Sequence, residues 1–151
     1  MAKKNDELLQ GLAALGCGLR DVEGSTFIAL PDEYAEFVFD RLGEWLYLGT
    51  TFMTPEEFAD SAYSETFNRF LLELQDRNLG CHFSYDRHGY LTIGTELFQN
   101  QLAAKHVLQV MDQIAFVIEV CIPLCDQILE TGKVPSDAEV DDAFGTSEKL
   151  H

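Results

Sequence analysis

Two stretches of this chain share one local design. Residues 37–50 read FVFDRLGEWLYLGT and residues 83–95 read FSYDRHGYLTIGT. Both run Phe-x-aromatic-Asp-Arg-x-Gly and then through strand-forming residues to Gly-Thr. Asp at the first and Gly at the fourth position of a turn suit a type I turn closed by a left-handed residue. Each stretch is therefore expected to be a β-hairpin. Strands joined by a tight turn are antiparallel, so a wholly helical chain and a purely parallel sheet are both excluded.

The second hairpin predicts its own register. With a bulge at Gly89, Tyr85 faces Leu91, Ser84 faces Thr92 and Phe83 faces Ile93. Phe83, Tyr85, Leu91 and Ile93 then share one face, and His82, Ser84, Thr92 and Gly94 the other. His82 and His88 fall at opposite ends of a strand, roughly 20 Å apart at about 3.3 Å per residue, too far to share a metal. The polar cluster His82–Tyr90 thus reads as a solvated hairpin rather than a catalytic centre.

Applied to the first hairpin, the same register pairs Phe39 with Trp45, Val38 with Leu46 and Phe37 with Tyr47. One face carries Phe37, Phe39, Trp45 and Tyr47, and the other Val38, Leu46 and Leu48. Both are apolar. A sheet covered by helices on one side should show one polar face. If the aromatic face meets the helices, Val38, Leu46 and Leu48 are expected to meet a second copy of the chain or a client; the alternative is a helix folded over that side too, or only partial exposure of these residues. On that reading Leu46→Glu would abolish the contact without unfolding the domain. A one-residue slip would exchange the faces.

The remaining segments supply the helices. Leu8, Leu12 and Leu15 follow Asn5, which predicts a short helix capped at Asn5 and stopped at Gly16. Residues 17–30, CGLRDVEGSTFIAL, suit strands around a Glu23-Gly24 turn. Thr54, Pro55 and Glu57 open a second helix with a capping box, with a break near Ser64 and a stop at Gly80. A long helix is expected from about residue 100 to 131, with Pro123 as a kink and Phe116 on its polar side as a further contact candidate. The expected fold class is α+β: an antiparallel sheet of about five strands, helices mainly on one face, in the order α-β-β-β-α-β-β-α. Residues 1–131 form one domain, and residues 132–151 an acidic tail expected to be disordered, save a short helix over 136–144.

Charge narrows the partners. The chain of 151 residues carries 26 acidic and 10 basic side chains, a net charge of −16. Nucleic acid is bound by replacing counterions with Lys and Arg, so direct binding to it is not expected, nor to an anionic membrane. A basic protein client would be attracted. Cys17, Cys81, Cys121 and Cys125 lie among apolar residues and are expected as free, packed thiols. The apolar run 114–125 contains Glu119 and Pro123 and is read as too short to span a bilayer. With no apolar leader at the N-terminus, a cytoplasmic protein is expected. No nucleotide-binding, nucleophile-elbow or zinc-protease motif occurs, and neither a metal nor a cofactor is expected.

The helix FNRFLLELQDRN, the strand pair CHFSYDRHGYLTIGTELF and the helix LAAKHVLQVMDQIAFVIEVCIPLCDQIL, in this order and in an acidic chain, resemble the type III secretion chaperone-like superfamily. Within it they look most like the YbjN-type bacterial sensory-transduction-regulator family. The resemblance implies no enzyme but a homodimer that holds other proteins on apolar patches. Val38, Leu46, Leu48 and Phe116 are the residues expected to make dimer or client contact. The competing reading is a small-ligand sensor or enzyme with a pocket between sheet and long helix, lined by Trp45, Tyr47 and Met111.

Overall fold

In a computed structural model of the chain, residues 2–31, 35–77 and 79–145 are described, with side chains from Glu7 onward. The elements run α1 (Ala2–Ala14), β1 (Gly18–Val22), β2 (Ser25–Ala29), β3 (Glu36–Leu42), β4 (Trp45–Met53), α2 (Pro55–Phe58), α3 (Ser64–Gln75), β5 (His82–Tyr85), β6 (Leu91–Phe98), α4 (Ala104–Thr131) and α5 (Asp137–Gly145). The α+β class is as expected. The strands form one antiparallel sheet of order β1-β2-β3-β4-β6-β5, six strands rather than five. The extra strand comes from the Glu23-Gly24 turn, where both residues take positive φ and reverse the chain after β1.

α1 begins at Ala2, so Asn5 lies within the helix; its side chain and that of Asp6 are outside the described residues. α2 opens as its sequence dictates. Pro55 takes the first turn, and the Thr54 N–H donates to Glu57 Oε2 at 2.8 Å. The chain then breaks and restarts at Ser64.

One core holds the molecule together. The inner face of the sheet gives it Ile28, Phe37, Phe39, Leu46, Leu48, Phe83, Leu91 and Ile93. The helices cover that face with Leu12 of α1, Phe67, Phe70, Leu71 and Leu74 of α3, and the α4 stripe Val107, Met111, Ile114, Val117, Cys121, Cys125 and Ile128. By length and hydropathy α4 could cross a membrane; here its buried stripe is part of this core.

The acidic segment after Thr131 carries the short helix expected of it. Ser136 and Glu139 cap α5 reciprocally, each backbone N–H reaching the other's side chain at 3.1 Å. Val140 is buried, Phe144 meets Phe116 edge-on at 6.4 Å, and Arg77 binds Asp137 and Asp141. Residues 132–145 therefore pack on the domain, and 146–151 lie outside the described residues.

Candidate functional site: the uncovered face of the sheet

The site follows from how the first hairpin turns. Leu42 pairs with Trp45, Asp40 with Tyr47 and Phe39 with Leu48. The loop is only Gly43-Glu44, with Gly43 at φ +64°. A two-residue loop with glycine first fits a type II′ turn, whose twist suits antiparallel strands. The expected type I turn with a bulge is not used here, and the parity of β4 is reversed. Leu46 and Leu48 point inward and are 0% exposed. This corrects the expected outer placement of both residues: in the folded chain neither reaches the surface.

Trp45 and Tyr47 point outward instead. Cross-strand pairing arranges this outer face in rows. The first is Leu42, Trp45 and Phe98; the second is Asp40, Tyr47 and Glu96; the third is Phe27, Val38, Gly49, Gly94 and His82. Leu42, Trp45 and Phe98 are 56%, 49% and 46% exposed. Trp45 and Phe98 pack edge to face at 5.4 Å, so the row forms a rigid apolar ledge.

Tyr47 lies down over the third row. A Cβ at Gly94 would sit 2.6 Å from the Tyr47 hydroxyl, and one at Gly49 would also collide with the ring. The two glycines thus form the seat of that ring. Burial raises the Tyr47 pKa, an effect opposed by its hydrogen bond to Thr92. At the far edge Arg20 lies over Phe27 and makes two hydrogen bonds to Glu36, at 2.9 and 2.6 Å. Those bonds hold the Glu36 carboxyl below its ordinary range. His82 Nε2 is 3.0 Å from Glu96 Oε2.

Gln99 locks the ledge at its open end. Its amide donates to the carbonyls of Gly43 and Trp45 at 2.8 and 2.9 Å, and its side-chain oxygen accepts from Arg41 at 3.1 Å. Beside it opens a cleft of about 690 Å³, lined by Glu7, Arg41, Glu44, Phe98, Gln99 and Leu102 among others.

The structure does not gather the expected contact residues in one place. Val38 is half-buried on the outer face, Leu46 and Leu48 are core, and Phe116 is half-buried on α4 beside Phe144. Nor does it bring together the residues expected to line a ligand pocket: Trp45 and Tyr47 face outward, while Met111 is buried on the helix side. Leu42 and Phe98 are not among the residues that the sequence pattern singles out. The Leu-Gly-Glu-Trp turn was a usable signal for Leu42; Phe98 joins only through the pairing of β4 with β6.

The cysteines sit apart from this face. All four are free. Burial pushes the Cys81 and Cys121 thiols up to about 11 and 12, and Cys125 higher still. Thiols held protonated in this way are poor nucleophiles.

No protein-family model and no curated protein sequence matches the chain. Several solved chains do, among them the following two. A chain of the ExsC–ExsE complex superposes with a TM-score of 0.60 at 18% identity, covering 85% of this chain and 94% of that one. A chain of the heterodimeric ExoU–SpcU complex, from the type III secretion system of Pseudomonas aeruginosa, superposes with a TM-score of 0.56 at 18% identity, covering 76% and 93%. At such identity the likeness is one of fold: helices packed on one antiparallel sheet.

Proposed function

We propose that the chain is a non-enzymatic, chaperone-like or adaptor module that holds a partner protein on the uncovered face of its sheet. One observation carries this reading. Among the described residues, the core helices pack on one face, and the opposite face keeps a contiguous, half-exposed apolar row of Leu42, Trp45 and Phe98. Large apolar side chains gathered at the surface mark interaction sites more often than scattered ones do. Val38 and Phe27, one row beyond Tyr47, would extend the contact. Both structural neighbours come from complexes of two different proteins, which is in keeping with such a role.

The YbjN-type relation and the homodimer belong to the same reading. The dimer would use a second patch, away from the ledge. On α3, Leu72 is 66% exposed, and Asn68, one turn away, accepts a hydrogen bond from the exposed Tyr85 of edge strand β5. Leu72→Glu is expected to give a monomer that keeps the partner, and Trp45→Glu a dimer that loses it. Light scattering and affinity capture on the two variants test this. A Trp45→Glu protein that folds and captures its partner undiminished would refute the assigned surface.

A further inference from the structure

The uncovered face also bears on what its partner looks like. The apolar ledge does not stand alone. One residue pair further along the strands, about 7 Å away, stand Asp40 on β3 and Glu96 on β6. They flank β4 and lie two strand spacings apart, roughly 10 Å. Between them stands Tyr47, whose ring is folded over Gly49 and Gly94 rather than raised above its own row. Two exposed acidic residues therefore flank Tyr47 beside the ledge. Glu44 adds a third carboxylate at the turn, next to Trp45. Among the described residues, the basic side chains on this face are Arg20, already bound to Glu36, and His82, 3.0 Å from Glu96.

We infer that the partner is a protein segment with a large apolar residue followed at close spacing by a lysine or arginine. This rests on the proposal that the face binds a protein. The apolar residue packs on Leu42, Trp45 and Phe98, and the cation meets the acidic pair Asp40 and Glu96. The required separation matches residues i and i+2 of a strand, about 6.6 Å, or i and i+4 of a helix, about 6 Å. An acidic segment would set its carboxylates against these, in a chain whose net charge is already −16. Charge here acts mainly on selectivity: an exposed ion pair is worth at most about fivefold in affinity.

Trp45 is the only tryptophan, so its fluorescence reports on the ledge directly. The probes are three synthetic peptides lacking Trp, with leucine at fixed positions and Arg, Gln or Glu two residues after each. They are titrated against the wild-type chain and against Asp40→Asn/Glu96→Gln, which changes only exposed positions. The expected order of affinity is Arg, then Gln, then Glu, with the Arg peptide several-fold ahead. In the variant the Arg peptide should fall to the level of the Gln peptide, whose own affinity stays unchanged. Equal binding of the Arg and Gln peptides to the wild type, or an Arg advantage that survives in the variant, would overturn the inference and leave the protein-binding face standing. If no peptide perturbs Trp45, the face itself is wrongly assigned and both proposals fall.

Discussion

The two hairpins share Asp-Arg-x-Gly and turn in different ways. At β5–β6 the aspartate is the turn. Asp86 accepts from the N–H groups of His88 and Tyr90 at 2.8 and 3.0 Å, and its backbone closes the loop with Tyr90 and Gly89. Gly89 takes the left-handed bulge position at φ +83°. At β3–β4 the corresponding Asp40 and Arg41 remain in the strand, and the chain reverses two residues later over Gly43-Glu44. Two differences account for this. The residue before the glycine is His88 in one and Leu42 in the other, and Leu42 gains a cross-strand partner in Trp45. Gln99, distant in sequence, clamps the first turn. A shared motif thus fixes that the chain turns, and tertiary partners fix where. Because strand side chains alternate, the shift decides whether the leucines or the aromatics of β4 face the core.

The comparison can be broken most severely at Leu46. Leu46→Glu buries a charge with no partner and should cost at least about 3–5 kcal/mol. That is much of the stability of an ordinary domain, about 5–15 kcal/mol, so the variant should lose its cooperative thermal transition. A folded Leu46→Glu protein would restore the outward placement of that residue. Next comes the glycine seat. Gly49→Ala drives a methyl into the Tyr47 ring and should cost about 1–3 kcal/mol, largely recovered in Tyr47→Ala/Gly49→Ala; urea denaturation of the double-mutant cycle measures this. The turns themselves can be loosened one at a time. Gln99→Ala should cost about 1–2 kcal/mol and speed amide exchange around Glu44 without disturbing β5–β6, and Asp86→Ala should do the reverse. Smallest is Trp45→Ala, which removes an exposed side chain and one edge-to-face contact and should stay within about 1 kcal/mol of wild type.

Most of the fold was legible because it follows from local chemistry. The α3 and α4 stripes, the Thr54-Pro55-Glu57 start and the register of the second hairpin all stand as their residues dictate. The one-sided sheet was legible too. The site was only half legible. The alternation shows that both faces of the first hairpin are apolar, but which residues line the outer one depends on the turn, which Gln99 clamps. Val38 keeps its outer position under either register, since β3 does not shift. Leu46 and Leu48 do not. Phe116 is legible as an apolar residue on the polar side of α4, whereas its neighbour Phe144 sits in an acidic segment whose composition gives no sign of packing.

The account turns on an uncovered sheet face with Trp45 upon it, and the emission of that single tryptophan tests it most directly. The measurement is made at a concentration where light scattering gives a single chain. The account predicts the red-shifted emission of a half-exposed indole, ready quenching by the neutral quencher succinimide, and only a small further red shift on unfolding in urea. A blue-shifted, unquenched Trp45 in the single chain would put the indole in the core and the β4 leucines outside, and would contradict both the register and the surface built on it.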